Sequence, residues 1–348
     1  MSLRLDMLRA AARAQRLRPD AAGRIVPFLQ SRATPDGGFA GRGDSSDLYY
    51  TVFGLQSLAA LGKASPSSTI DPDPADPAAT EPAATEPAAA EPATTEPAAT
   101  EPATTEPAAT EPAAGAAGYA RPTVVRYLRA FADGASLDLV HLACLARCWA
   151  LLETGEPAPD VRAAILKRLE TFRSPDGGYH SACGADRGTV YAAFLALGAY
   201  QDFDVPLPDP DGLVRSVRSL HIDGGGYANT PGMPEGSSPA TAAAIVLLSE
   251  LRETVEPGAA RWLAAQRRGD GGWAPMPAAP VADLLSTATA LHALAVAGAS
   301  LDEARGPSRQ FVESLWSDEG GFRGHWLDDH LDCEYTFYGL LALGHLAD

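Results

Sequence analysis

The sequence has few cysteines, few aromatic residues and no long hydrophobic run. Its four cysteines, at positions 144, 148, 183 and 333, include no CxxC pair, which argues against a disulfide scaffold and a zinc ribbon. No window approaches the ~18 consecutive apolar residues of a membrane span. The N-terminal stretch carries arginines and lacks the apolar core of a secretory signal. We therefore expect a cytoplasmic protein.

Basic residues are also scarce. Lys and Arg number 27 against 44 Asp and Glu, so the formal net charge is −17. Nucleic acid binding needs a basic footprint, and this charge argues against it. Part of the acidity is local, because residues 63–118 hold ten carboxylates against one lysine, a net charge of −9 that leaves −8 for the remainder. That remainder is ordinary for a soluble domain.

Residues 63–118 differ in composition from the rest of the chain. From Ala78 to Pro112 they consist of seven pentapeptides such as AATEP and ATTEP. A proline at every fifth position forbids a continuous helix, and no large apolar side chain is available for burial. The segment is therefore predicted to be a disordered low-complexity linker. It is either a tether for a partner or a tolerated expansion.

A Gly-Gly-aromatic signature recurs along the remaining sequence. The aromatic residues of its five copies are separated by 140, 48, 46 and 49 residues. The first interval becomes two periods when an insert of about 44 residues is removed, and a degenerate copy fits between residues 119 and 155. The result is six units of about 46 residues, a period typical of stacked or ringed supersecondary units. The five aromatic residues are Phe39, Tyr179, Tyr227, Trp273 and Phe322.

Each unit has the pattern of an amphipathic helix, a glycine turn and a second, almost wholly apolar helix. A helix that is apolar all round is buried on every side. Six outer and six inner helices predict an all-α, (α/α)6 toroid in which residues 1–62 (an N-terminal helix and the first hairpin) and 119–348 (repeats two to six) form a single domain. The inner helices are predicted at residues 49–61, 139–152, 190–199, 240–251, 284–297 and 335–346.

The predicted topology places the N-termini of all the inner helices at one rim. The hollow between them is a natural ligand pocket. Polar residues that open the inner helices should surround its mouth, namely Asp47, Asp138, Ser238, Asp283 and Asp332. His141, Cys144 and Cys148 share one face of the second inner helix and are predicted to be core residues.

Gly-Gly-aromatic turns at this period resemble the prenyltransferase and squalene-oxidase repeat, and above all the β subunits of protein geranylgeranyl- and farnesyltransferases. The last unit, GGFRGHWLDDHLDCEYTFYGLLALG, is similar to the last repeat of those subunits. The fourth unit is similar in its Gly-Gly-Tyr, its Pro231-Gly232 and its acidic Glu235. The resemblance implies transfer of a geranylgeranyl or farnesyl group from its diphosphate to a protein cysteine. It also implies a protein or peptide substrate and a helical α-subunit partner.

The resemblance further implies a zinc ion that activates the acceptor thiol. Of the three family ligands Asp283 is retained, whereas Leu285 stands at the cysteine position and Tyr335 at the histidine position. Residues 274–282, where the family carries cations for the diphosphate, contain neither Lys nor Arg. These departures support a second hypothesis, a non-catalytic toroid that binds an isoprenoid, a lipid or a peptide.

A relocated site is predicted where ligand-type side chains are densest, in the sixth unit. Zinc could be held there by Asp283, Cys333 and either His325 or His330; alternatively this is a solvated loop with Asp332 as a helix N-cap. The residues expected to act in catalysis are Asp283, Asp332 and Tyr335. The residues expected to form an isoprenoid-binding wall, or else ordinary packing, are Tyr49, Tyr50, Phe53, Phe337 and Tyr338.

Overall fold

The structure is a computed structural model that describes residues 2–62, 121–152 and 154–347. The predicted linker at 63–118 lies outside these residues. The regular secondary structure of the described part is almost entirely helical, and its one small sheet pairs β1 (Phe39–Ala40) antiparallel with β2 (Ser46–Asp47). Within the described residues, no helix has both the length and the apolar character needed to cross a membrane.

Thirteen α-helices and one 3₁₀ turn (Arg13–Arg16) are formed by the described residues. In chain order the helices are α1 Leu3–Ala12, α2 Ala21–Arg32, α3 Leu48–Ala60, α4 Arg121–Arg129, α5 Leu139–Leu152, α6 Pro159–Glu170, α7 Val190–Asp202, α8 Pro210–Arg218, α9 Ser238–Glu250, α10 Ala259–Ala265, α11 Leu284–Val296, α12 Asp302–Ser314 and α13 Cys333–His345.

The six apolar helices form a closed inner ring. Helices α3, α5, α7, α9, α11 and α13 each pack on the next, and α13 packs back on α3. The six shorter or amphipathic helices α2, α4, α6, α8, α10 and α12 precede them, one in each unit. The predicted α–α toroid is confirmed, and the inner helices begin and end within a few residues of the predicted positions.

The glycine signature is explained by contacts between neighbouring units. Gly271 has φ +95°, and a Cβ there would lie 2.2 Å from the carbonyl oxygen of Pro307 in the next outer helix. Gly320 of the sixth unit has φ +97° and meets Arg24 of the first outer helix in the same way. Only glycine allows both this backbone conformation and this close approach. The last of these contacts closes the ring.

The N-terminal helix α1 lies across the C-terminal ends of inner helices. The Leu3 amide donates to Gln201 at the end of α7 (3.0 Å). The carbonyl of Ala10 lies directly against Gly344 near the end of α13, and Gln15, just after α1, reaches the carbonyl of Ala60 at the end of α3. Helix α1 therefore covers one end of the ring, which the repeat pattern did not reveal.

Candidate functional site

A pocket lies in the hollow between four of the inner helices, α3, α5, α7 and α13, with α1 at its base. It encloses about 610 Å³ of empty space, part of which is open to solvent. Most of its lining is aromatic or aliphatic, and the aromatic residues are Tyr49, Phe53, Tyr191, Phe194 and Tyr338.

The aromatic wall differs in part from the sequence expectation. Tyr49, Phe53 and Tyr338 line the pocket, and the Phe53 ring lies 5.1 Å from Tyr49 and 5.5 Å from Tyr338. Tyr50 and Phe337 do not line it. The Tyr50 ring packs against Gly41, and Phe337 is fully buried behind Phe53. Adjacent residues of a helix point in different directions, so only part of each aromatic run faces the hollow.

Helix α7 supplies two pocket residues that the sequence analysis did not single out, Tyr191 and Phe194. They lie in a predicted inner helix, but the aromatic wall was predicted only on the first and last inner helices. Closure of the ring brings α7 to the far side of the same hollow. Any aromatic residue on a predicted inner helix was a candidate for the pocket wall. The periodicity of a helix that is apolar all round does not show which face points into the hollow.

Glu334 and Tyr49 form a hydrogen-bonded pair beside the pocket mouth. The Tyr49 hydroxyl donates to Oε1 of Glu334 at 2.6 Å. Burial raises the pKa of Glu334 to about 7, the Tyr49 hydrogen bond opposes that rise, and the nearby Asp332 adds to it. The carboxyl group therefore changes its charge near neutral pH. The neighbouring Asp332 is among the predicted catalytic residues, whereas Glu334 is not.

The Glu334 carboxyl is expected to make stability depend on pH. The pKa of Glu334 in the folded protein lies above the ordinary 4.5. The stabilisation that the protonated carboxyl gives to the folded state is therefore complete below pH 4.5 and is lost as the pH rises through 7. Glu334→Gln should therefore be more stable than the wild type by about 3 kcal/mol at pH 8. At pH 4.5 the gain should nearly vanish. Urea denaturation at the two pH values measures both differences.

The exposed Glu235 offers a matched control for this experiment. Glu235→Gln should leave stability within about 0.5 kcal/mol of the wild type at both pH values, as surface substitutions usually do. If Glu334→Gln were stabilised by the same amount at pH 4.5 and pH 8, the raised pKa of the Glu334 carboxyl would be contradicted.

Asp283 and Asp332, two residues expected to act in catalysis, serve as helix N-caps. Asp283 accepts hydrogen bonds from the amide (2.6 Å) and hydroxyl (3.1 Å) of Ser286. Asp332 is fully buried, accepts from the Tyr335 amide at 2.9 Å and lies 3.5 Å from Nε of Arg42. Burial raises the pKa of both carboxyl groups. Their oxygens hold the starts of α11 and α13, as capping predicts.

None of the three residues expected to act in catalysis lines the pocket. Asp283 and Asp332 are turned toward the ends of their own helices. The ring of Tyr335 packs on Gly324, and burial raises its pKa to about 12. Asp47 is also an N-cap, and the predicted rim residue Ser238 lies inside α9, where Ser237 is the cap.

The predicted zinc ligands are not brought together. Cys333 is wholly buried, which raises the pKa of its thiol well above the ordinary value. His330 is exposed and bonds Asp328 at 2.9 Å, while Asp283 is bound to Ser286. Nowhere in the described part of the chain do three His, Cys, Asp or Glu side chains form a group suited to a metal ion. The residues present do not fit the family's zinc.

Carboxylates outnumber cations at the mouth of the pocket. At the mouth, Arg42 is held by Asp328 (2.6 Å) and Asp332. His141 bonds Asp138 at 2.8 Å and lies 3.7 Å from Asp47, so it belongs to the rim and not to the predicted core. Cys144 and Cys148 are buried as predicted, and Cys144 lines the pocket. The mouth is thus rich in carboxylates, which disfavours a diphosphate there.

The chain is similar to one family model and to a solved structure. The family model described as the prenyltransferase alpha-alpha toroid domain matches residues 3–75, 128–267 and 240–347. No sequence among curated proteins matches. Among solved structures, the chain is similar to Candida albicans protein geranylgeranyltransferase-I complexed with GGPP. The two are 12% identical with a TM-score of 0.45, and the match covers 58% of this chain and 66% of that one, just under two thirds of its length.

Proposed function

Since the chain belongs to the prenyltransferase alpha-alpha toroid family, we propose that it binds an isoprenoid or a similar apolar chain inside its ring. The observation that carries the proposal is the aromatic-lined pocket between α3, α5, α7 and α13. Burying each methylene of such a ligand contributes about 0.8 kcal/mol. Rings at several depths offer the contact area that a long, flexible chain needs.

The same site gives little support to the family's transfer reaction. That reaction needs a metal-activated thiol and cations beside the diphosphate leaving group. Arg42 at the mouth already pairs with two carboxylates, and the predicted zinc ligands are separately engaged or buried. Binding without transfer is therefore the function that these residues fit best.

Filling the pocket tests the proposal directly. Farnesol and geranylgeraniol should bind the wild type in isothermal titration calorimetry. Ala143 lines the pocket, so Ala143→Phe should lower their affinity at least about tenfold by occupying the space of the ligand. Ala163 is exposed on the outer helix α6, and Ala163→Phe is the matched control that should bind as the wild type does. Equal binding by both variants would contradict the proposal.

A second assay separates binding from transfer. The protein is incubated with zinc, geranylgeranyl diphosphate and a cysteine peptide, and the peptide mass and the protein's metal content are measured. We expect an unmodified peptide and no stoichiometric zinc. Prenylated peptide would overturn binding without transfer in favour of the transferase hypothesis. A peptide substrate and an α-subunit-like partner belong to that hypothesis and depend on the same assay.

A further inference from the structure

The floor of the pocket differs chemically from its walls. Gln56 of α3 and Arg147 of α5 both line the pocket there. Gln56 is only 3% exposed, and its amide Nε2 finds no hydrogen-bond partner among the described residues. Leaving a buried donor unpaired costs about 1–3 kcal/mol. A polar ligand atom at this depth would satisfy the amide.

The two polar residues lie far from the mouth. Gln56 follows Tyr49 by seven positions on α3, which corresponds to about 10 Å along the helix. Met7 of α1, the helix that covers the C-terminal end of the ring, also lines the pocket. Between the mouth and the floor the lining is mainly apolar, with Phe53 and Leu195 among its residues. The hollow therefore offers an apolar middle and a polar end.

Charge also favours an anion at the floor. Asp202, which is almost wholly buried, accepts from Nε of Arg4 at 3.0 Å and from Nε of Arg147. Two guanidinium groups thus share one carboxylate, which leaves a single positive charge within this trio. The mouth carries Asp47 and the ionisable Glu334 instead. An anionic group would be repelled at the mouth and stabilised beside Arg147.

From these observations we infer that the pocket takes an amphiphile with an apolar chain and a terminal carboxylate. The carboxylate accepts a hydrogen bond from Gln56 and pairs with Arg147, and the chain runs past the aromatic rings toward the mouth. One carboxylate matches the one uncompensated charge. This inference rests on the proposed function and adds to it the class and orientation of the ligand.

Matched probes test the terminal group. Farnesoic acid, farnesol and farnesylamine share one chain and differ at its end, and calorimetry at pH 7.5 compares their affinities. The acid should bind roughly tenfold to a hundredfold more tightly than the alcohol, as a hydrogen bond to a charged group implies. The amine should bind more weakly than the alcohol because its cation meets Arg147.

Two variants locate the contact. Gln56→Leu removes an amide whose nitrogen is unpaired, so the fold should survive, and Arg147→Met leaves Asp202 paired with Arg4. Each should lower the affinity for farnesoic acid toward that of farnesol, and so reduce the preference for the acid. Gln30→Leu on the outer helix α2 is the matched control and should keep the full preference for the acid.

The outcomes separate this inference from the proposed function. Equal affinities for the acid and the alcohol in the wild type would overturn the carboxylate inference and leave the apolar pocket intact. A preference for the acid that persists in both floor variants would also overturn it. Failure of all three probes to bind would overturn the proposed function itself.

Discussion

Replacing Gly344 by alanine is expected to destabilise the protein by about 3 kcal/mol, the upper end of the usual range for overpacking. A Cβ at this position would lie 1.7 Å from the carbonyl oxygen of Ala10. The obstacle is backbone and not a side chain that could rotate away, so α1 must shift from the end of the ring. Guanidinium denaturation followed by circular dichroism measures the change.

Gly23 provides the matched glycine. It lies exposed within α2, and apart from its own helix backbone no atom of the described residues comes within 4 Å of where its Cβ would be. Gly23→Ala should stabilise the protein by roughly 0.5–1 kcal/mol through helix propensity alone. If Gly344→Ala were as stable as Gly23→Ala, helix α1 would not be packed against α13 as described.

Acidification is expected to destabilise the protein through a buried histidine pair. Nδ1 of His292 on α11 lies 3.0 Å from Nε2 of His345 on α13. Burial, together with nearby Arg13, lowers the pKa of His292 to about 4. Burial likewise lowers the pKa of His345, and His292 and Arg13 add to that effect. Both imidazoles are therefore neutral in the folded protein at neutral pH.

The direction of the effect follows from where the protons bind. The unfolded chain protonates histidine near its ordinary pKa of 6.5, whereas the folded chain does so near 4 for His292. The stabilisation of the folded state by neutral His292 is thus complete above pH 6.5 and is lost as the pH falls toward 4. His292 alone contributes a loss of about 2 kcal/mol by pH 5 and about 3 kcal/mol by pH 4, and His345 adds in the same direction.

Denaturation curves between pH 7.5 and pH 4 measure this loss. Changing both residues, His292→Leu with His345→Leu, removes the pair without leaving a lone buried donor and should flatten the profile. His330→Asn, at an exposed histidine, is the control that should retain the wild-type slope. A double variant with the wild-type slope would assign the acid sensitivity to other groups.

Much of the fold could be predicted because it depends on local, repeated chemistry. The repeat length is visible in the spacing of five glycines, each of which has positive φ and contacts a neighbouring unit. These are Gly37, Gly177, Gly225, Gly271 and Gly320. The apolar runs predicted the inner helices, because a helix that is apolar on every face must be buried on every side. Asp332 was also foreseen as an N-cap, a role that depends on residues three positions away.

The site was predicted less well because it depends on direction and on distant residues. Cys333 and Glu334 are neighbours in the sequence, yet the thiol is fully buried and the carboxyl reaches Tyr49 on another helix. Gln56 and Arg147 gave no sequence signal, since a lone polar residue in an apolar helix has many explanations. The predicted zinc ligands do not form a group among the described residues, because ligand density along the chain does not ensure convergence in space.

The amino-acid sequence by itself determined the family, the six-fold repeat and the outer and inner helices, because turns, caps and amphipathic faces are set by residues close together in the chain. Only the tertiary structure decided which faces of α3, α5, α7 and α13 line the hollow and that α1 covers its end. It also placed Gln56 and Arg147 in the lining of the same pocket. These features arise from ring closure, which joins residues far apart in the chain and leaves no periodic trace in the sequence.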